Sequence, residues 1–555
     1  MVRADSNEGS GEDAKGEGET EKASADNPGK AGDLTKSYAF YVGKNLTADG
    51  STLLGGTGEE PSSHWLEIQS RQQYAPDEKI EVGVTEDASI PGELTEIPQA
   101  EETYKYISMD YSEFAGFPAP LTNGGMNEYQ VAGRDIWSPS REELVEMTPE
   151  PQKGPQYSDL ARIAMERATT AREAAQIVGE QIDKHGFSTY GGNTHMFADP
   201  NEGWIVKEMA GGKGLWVAER LGPDEIRVAY PGYIEDVPQD YKENPDYMGS
   251  DNLISFAAEQ GWYNPDSDEP FNVHEIYGNG EDLETGPKLM APKEIESELA
   301  DLAPVTLDEM MAMVRDPRIS DEDAGYGQVA HLRGNLPNNE LATLWVAPTG
   351  SVTAPFIPWR IGVQEVPPEF RQHRYLTKGA DANYLNKAYM LQEATDFAGR
   401  TFKQLMYYTG AHPATFLPEV NAELETFEAG MLPEQAAVEA RALELYQSGQ
   451  EEQAREYLTD YSNTQALEGL QLGENLKDNI GARTQELYGI PEPPEDVSIN
   501  AVEDNDRQEV ANTIDCLVGD VDADVAGDLQ KRPEAGLMSS QPLPDTGGMI
   551  PYSKK

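Results

Sequence analysis

Apolar and polar positions along the chain follow distinct regimes. The first 36 residues hold Gly, Glu, Asp, Lys, Ser and Ala with almost no large apolar residue, which predicts a disordered leader over 1–36. At Ser37 the pattern changes abruptly. Ser37-Tyr38-Ala39-Phe40-Tyr41-Val42-Gly43-Lys44 is aromatic and β-branched and reads as a strand. Asp49-Gly50 supplies a tight turn and Ser51-Thr52-Leu53-Leu54 opens a second strand, so a hairpin is predicted. Further strand-like pieces are Tyr104–Met109, Gln130–Gly133, His195–Ala198, Gly203–Lys207, Leu215–Glu219, Ile226–Tyr230 and Leu341–Ala347. Helical spacing governs Ser158–His185, through Leu160, Ile163, Ala164, Ala171, Ala174, Ala175, Ile177 and Val178, and a second helix is predicted over Asp381–Tyr408. Strands grouped apart from helices indicate an α+β layered fold rather than regular βαβ alternation. Residues 37–417 form the expected main domain. Residues 418–488 form a helical C-terminal part of the same fold, with Leu443, Tyr446, Ala454, Tyr457, Leu458 and Tyr461 on its apolar face. Residues 489–555 are Pro-, Asp- and Gly-rich and are expected to be a mostly disordered acidic tail.

Charge narrows the partners. With 42 Lys and Arg against 100 Asp and Glu, the formal charge is −58. Such a surface repels nucleic acid and anionic lipid, so neither is an expected partner. It suits a salt-rich or extracellular setting, and equally is a solvated acidic surface. The single cysteine, Cys516, excludes an internal disulfide framework, a zinc–cysteine cluster and a cysteine redox pair. No 18-residue apolar run is present and no apolar signal core opens the chain, so no membrane span is expected. That leaves a cytoplasmic protein, or a secreted one whose signal is absent from this sequence. There is no His-Glu-x-x-His, no nucleotide-binding Gly-rich loop and no Gly-x-Ser-x-Gly elbow, so neither a metal nor a cofactor is expected. Asp520–Asp524 starts like a calcium loop but lacks the later Gly and Glu, and no calcium site is expected there.

Ser37–Thr52 (SYAFYVGKNLTADGST) resembles the opening of the dipeptidase and secernin family of N-terminal-nucleophile (Ntn) hydrolases, in which a cysteine begins the strand. The likeness continues in order through Asn123–Tyr129, Phe197–Trp204, Trp216–Arg220, Leu344–Pro348, Ala354–Pro358 and Leu458–Ser462, covering about residues 37–485. What the resemblance implies is a four-layer αββα sandwich, here with a C-terminal helical extension, and hydrolysis of an amide, typically in a dipeptide. In that family the first residue of the mature chain supplies a side-chain nucleophile and, through its free α-amine, the general base. An α-amine with a pKa of about 7.7–8.0 can accept a proton near neutral pH.

The resemblance places Ser37 at the nucleophile's position and requires scission of Lys36–Ser37 to expose the amine. Otherwise Ser37 is simply the first residue of a strand in an inactive relative. The family's Arg and Asp near the second strand correspond here to Gly56 and Glu59. Glu59 is a candidate to hold the Ser37 amine, or a surface loop carboxylate. Arg134, in Val131-Ala132-Gly133-Arg134-Asp135, is a candidate replacement for the missing guanidinium, or else forms a structural ion pair with Asp135. Tyr230 stands where acylase relatives carry an Asn. Asn127 is a candidate oxyanion donor or a turn residue. Asn193 and His195, on a Gly-rich approach to a strand, and His331 are candidates to border the pocket, or structural residues.

Leu543-Pro544-Asp545-Thr546-Gly547 fits a sortase signal without the apolar segment that completes one, so it reads as a truncated anchor to peptidoglycan or a chance match. The expectation is a secreted or wall-attached amidohydrolase, probing short peptides or acyl-amides through Ser37. The alternatives are an inactive cell-surface binding protein on the same scaffold and an acylase for a non-peptide amide.

Overall fold

The structure is a computed structural model that describes residues 37–59, 64–111, 116–229, 234–280, 291–320, 324–371 and 397–489. The opening hairpin forms as its sequence predicts. Strand β1 (Tyr38–Val42) pairs antiparallel with β2 (Thr52–Glu59), Val42 facing Leu53 and Tyr38 facing Thr57. Asp49 shapes the connection by accepting from the backbone N–H and hydroxyl of Ser51, at 3.0 and 2.6 Å. Gly50 then takes φ +76°, which a residue without Cβ adopts readily.

A long second half of the first sheet comes from far along the chain. The strands β11 (Ile226–Ala229), β13 (Ala324–Leu332), β14 (Thr343–Ala347) and β15 (Ile357–Arg360) join the hairpin in the order β11-β1-β2-β13-β14-β15. Among the described residues the second sheet has nine strands, β3 (His64–Gln69), β4 (Tyr106–Tyr111), β5 (Leu121–Thr122), β6 (Gly125–Asn127), β7 (Ala132–Ile136), β8 (Gly192–Ala198), β9 (Gly203–Met209), β10 (Trp216–Leu221) and β12 (Tyr247–Gly249). Its order is β12-β10-β9-β8-β7-β6-β4-β3, with β5 on β4. Every pairing in both sheets is antiparallel. This is the α+β class.

Alternation along the strands decides what each sheet face buries. Tyr41, Leu54, Met109, Ala132, Met196, Ile205, Val217 and Ala330 share one fully buried apolar cluster drawn from both sheets, the core between them. On the far side of the second sheet, Phe197, Trp204, Val206 and Ala218 pack under α1 (Tyr157–Arg167) and α2 (Ala171–His185). On the far side of the first, α3 (Pro292–Leu302) lies on β11, and α4 (Leu307–Arg315) on β2 and β13. Four layers result, helix, sheet, sheet, helix. A Cβ on Gly55 would meet Met310 of α4 at 2.9 Å, so glycine there lets helix and sheet approach closely.

The helices depart from the sequence reading in informative ways. The single helix expected over Ser158–His185 is two, because Ala168 is extended and Thr170 starts α2 by accepting from the Glu173 N–H at 3.1 Å. Asp199 takes the Ala171 N–H at 2.9 Å, fixing the break from the neighbouring β-turn. The expected helix Asp381–Tyr408 is seen from Ala398 onward as α5 (Ala398–Ala411), and residues 381–396 lie outside the described residues. The helical stretch 418–488 is α6 (Pro413–Met431), α7 (Gln435–Gln447) and α8 (Glu451–Tyr488), with α8 packed on α5 and on β15. Among the described residues no helix is long and apolar enough to cross a membrane. The leader 1–36 and residues 490–555 lie outside the described residues.

Candidate active site

Ser37 directly precedes β1 and is 5 % exposed. The direction of its strand face is set by Tyr41. The Tyr41 hydroxyl donates to the carbonyls of Leu221 and Gly222 at 3.2 and 2.9 Å, and its ring lies where a Cβ on Gly203 would come within 2.7 Å. Tyr41 therefore points at the second sheet, and alternation carries Ala39 and Ser37 to the same face. Burial and neighbouring carboxylates push the Tyr41 phenol far above its ordinary pKa, so it stays a neutral donor.

The strands beside β1 extend this face. Ala39 faces Gly56, which faces Gln328, and Gly58 faces Tyr326. Gly56 has φ +151°, and a Cβ there would stand 1.9 Å from the Tyr38 carbonyl oxygen, so no larger side chain fits without moving β1. Gln328 crosses the gap and donates to the Gly133 carbonyl at 3.2 Å. From the second sheet comes Arg134, fully buried, which donates to the Thr57 carbonyl and holds its guanidinium 4.8 Å from the Tyr326 ring centre. Thr57 is the partner of Tyr38, so this guanidinium arrives within one residue of Ser37.

Other expected residues go elsewhere. Asp135 follows Arg134 on a strand, so it faces the helices, and the two charges do not share a face. His195 pairs with Asp135 across the strands and also faces the helices; it contacts Glu208 at 2.7 Å and the Tyr157 carbonyl at 3.1 Å. Burial alone lowers the His195 pKa, but the Glu208 carboxylate and the nearby Asp135 outweigh it and raise it overall. Asn193 lies on the same strand face, and its amide turned over would donate to the Ile136 carbonyl at 3.0 Å and accept from Thr194 N–H at 3.2 Å. Asn193 and His195 thus do not border the Ser37 face; a strand's period of two separates them from it.

Asn127 is occupied as a turn residue. Its amide donates to the Met165 and Ala168 carbonyls at 3.0 and 2.8 Å, and its oxygen accepts from Tyr129 and Val131 at 3.0 Å each, so both amide hydrogens serve the end of α1 rather than an oxyanion. His331 sits opposite Leu53 at the other end of β13, roughly 17 Å along the strand from Tyr326 at about 3.4 Å per residue. There it bonds Asp49 at 2.7 Å and holds that carboxylate well below the usual range, securing the hairpin turn rather than lining a pocket. Glu59 ends β2 beside Ser37, opposite Ala324, but its side chain lies outside the described residues, as do Tyr230, Lys36 and Leu543–Gly547. Among the described residues no group of His, Cys, Asp and Glu is placed to hold a metal ion.

Three side chains on the facing surfaces escaped the sequence reading, namely Tyr326, Gln328 and Lys207. Lys207 had a visible signal, a lysine between Ile205 and Met209 on an otherwise apolar stripe, and it is fully buried. Tyr326 and Gln328 stand on β13, which was not read as a strand.

Two facing antiparallel sheets sheathed by helices, with a serine opening an inner-facing strand, define a four-layer αββα sandwich. Residues 38–286 match the family model "Peptidase family C69". The match begins one residue after Ser37 and so does not address that residue. A probable dipeptidase of Salmonella dublin is 34% identical over 111 residues, 20% of this chain and 24% of that protein. Probable dipeptidase B of Streptococcus pyogenes serotype M3 is 25% identical over 248 residues, 43% of this chain and 46% of that protein. The chain therefore spans less than half the length of the curated relatives it matches. A crystal structure of a mutant conjugated bile acid hydrolase from Clostridium perfringens aligns with a TM-score of 0.31 and 10% identity, over 58% of this chain and 92% of that one.

Proposed function

We propose that the protein is a peptide-bond hydrolase of the dipeptidase type that uses Ser37 as an N-terminal nucleophile. The observation that carries this reading is the arrival of Arg134 at the Ser37 end of β1. The serine opens the inner face of β1, and a buried guanidinium from the facing sheet reaches the carbonyl opposite the next residue. Cleavage of Lys36–Ser37 frees the α-amine. The amine takes the proton of the Ser37 hydroxyl as its oxygen attacks the peptide carbonyl, then passes that proton to the leaving amine. Water hydrolyses the resulting ester by the same base and regenerates Ser37. Arg134 stands in for the arginine that Gly56 cannot be, fixing the start of the hairpin and adding positive potential where the oxyanion develops.

Mass spectrometry of the purified protein is expected to find a chain beginning at Ser37, with dipeptide hydrolysis that Ser37→Ala abolishes. Hydrolysis by protein that keeps an intact Lys36–Ser37 bond overturns the mechanism.

A further inference from the structure

Arg360 ends β15 and is fully buried, away from the face that carries Ser37. Its direction follows from strand register. Gln328 reaches across to the second sheet, and its ladder partner Val346, with Ile357 beyond it, shares that inner face. Alternation turns Trp345 of β14 and Arg360 of β15 the other way, toward the C-terminal helices, where α8 packs on β15. Arg360 pairs with Thr343 and Trp345 with Pro358. The two are therefore diagonal neighbours on the outer face, about 7–8 Å apart along the backbone and within reach of each other's long side chains.

The surroundings satisfy only part of the Arg360 guanidinium. Nη2 donates to Gln435 Oε1 of α7 at 2.6 Å. Glu439 of α7 comes within 3.6 Å of the same nitrogen, but its two oxygens already accept from Arg333, at 2.7 and 3.0 Å. Two guanidinium groups thus share one carboxylate, which leaves a positive charge in excess. The remaining neighbour is the Tyr461 ring of α8, 5.9 Å from the guanidinium carbon. Among the described residues neither Nε nor Nη1 of Arg360 has a hydrogen-bond partner, and neither has Nε1 of Trp345, itself 1 % exposed. Burial pulls the Arg360 pKa below its usual value even though Glu439 opposes the fall, as expected of a cation whose countercharge is incomplete.

Buried N–H groups find acceptors, and a buried charge needs a counterion. A water molecule accepts such hydrogens but leaves the charge uncompensated, whereas an anion meets both needs at once. At this depth only a small anion fits; a peptide carboxylate or a phosphate does not reach a guanidinium with no exposure. We infer that Arg360 and Trp345 hold a single halide ion, chloride in physiological salt, between the outer face of the first sheet and the C-terminal helices. The ion completes the attachment of α7 and α8 to β14 and β15. The overall charge of −58 opposes entry of an anion, so the site fills as salt screens the surface, the Debye length being about 3 Å at 1 M.

Thermal melting of the full chain in potassium chloride and in potassium gluconate, at equal ionic strength, separates ion binding from screening, since gluconate is too large to enter. Wild-type protein is expected to melt several degrees higher in chloride, with Tm climbing with the logarithm of chloride concentration once the site is filled in the folded state. Arg360→Met is expected to lose this chloride-specific rise, and Trp345→Phe to need several-fold more chloride for the same rise. Crystals grown in bromide are expected to show an anomalous peak within hydrogen-bonding reach of Arg360 Nε and Nη1. An equal chloride–gluconate difference in wild type and Arg360→Met, or bromide crystals without a peak at Arg360, overturns the site. Should Arg360→Met fail to fold, the bromide peak decides alone, its presence at Arg360 sustaining the inference and its absence overturning it.

Discussion

The guanidinium of Arg134, rooted in one sheet, donates to the carbonyl of Thr57 in the other, and Thr57 is the strand partner of Tyr38. This bond ties the facing layers at the residue that follows Ser37, and a lysine cannot reproduce its planar fork. Arg134→Lys and Arg134→Met are both expected to lower kcat/KM for dipeptides by about 100-fold or more, a loss on the scale of one oxyanion-directed donor. Retention of activity within threefold in a folded Arg134→Met protein would remove Arg134 from the site.

Exchange of the nucleophile separates geometry from reactivity. Ser37→Cys replaces a hydroxyl by a thiol, more nucleophilic at neutral pH, at the same place on β1. Dipeptide hydrolysis is expected to persist or rise in this variant and to be lost on treatment with iodoacetamide, whereas the wild type, carrying only Cys516, keeps its activity under the same treatment. An inactive but correctly processed Ser37→Cys protein counts against position 37 as the reacting centre.

Local pattern made the opening hairpin legible, because a strand, a turn and a strand lie within a few residues of each other. It also exposed most strands of the second sheet and the helical C-terminal region. What it missed depends on contacts distant in sequence. Strand β13 was overlooked although it pairs with β2 along nearly its whole length, since glycines at 325 and 327 weaken its strand signal. Among site residues, Arg134 was legible as an unusual charge after a strand. The sequence could not say that its neighbour Asp135 turns away, or that His195 and Asn193 face the helices, because sheet faces are assigned only by what covers them. For His331 the reason is related: register sets it at the far end of β13, opposite Leu53.

A single glycine tests how tightly the hairpin is built. Gly56→Ala places a Cβ 1.9 Å from the Tyr38 carbonyl oxygen at a φ of +151°, a conformation that side-chain-bearing residues rarely adopt. The variant is expected to lose on the order of 2 kcal/mol or more of stability by denaturant unfolding, and to lose activity disproportionately because β1 must shift at Ser37. A wild-type melting curve for Gly56→Ala would contradict the close approach of β1 and β2.

Asp110 gives a pH dependence of stability. It lies on the helix-facing side of β4, 4 % exposed, accepting from the Ser108 hydroxyl at 2.7 Å. Burial, aided by Glu67, raises its pKa to about 7, against the opposing hydrogen bonds and Arg162. In the unfolded chain the carboxyl has an ordinary pKa near 3.9, so folding there favours the protonated form. Its contribution is undiminished below about pH 4 and is lost progressively as pH rises to about 7, above which the folded protein carries the full cost of a buried carboxylate. Asp110→Asn keeps an acceptor for Ser108 and removes that cost. The variant is expected to match the wild type near pH 4 and to exceed it by a few kcal/mol near pH 8, in urea titrations at both pH values. A stability difference that does not grow with pH would show that Asp110 is ionised in the folded protein at low pH.

A buried ion pair helps to fasten the C-terminal helices to the sandwich. Arg315, the last residue of α4, donates to Glu428 of α6 through both terminal nitrogens, one bond at 2.9 Å, and through Nε to the Ser351 carbonyl at 3.0 Å. Glu428 also accepts the Phe356 N–H at 2.7 Å, so the pair closes on the loop that leads into β15. Side-chain exposure is 5 % and 6 %, and at that depth removal of one partner leaves an uncompensated charge. Glu428→Gln and Arg315→Met are each expected to cost about 3–5 kcal/mol in denaturant unfolding. The double variant should regain much of that loss, since glutamine still receives the Phe356 N–H and methionine fills apolar space without a charge. The double-mutant cycle is therefore expected to give a coupling of about 2 kcal/mol or more. Simple additivity of the two losses would mean that α6 is held by apolar packing at Phe416, Val420 and Leu424, and that the ion pair contributes little to fastening it.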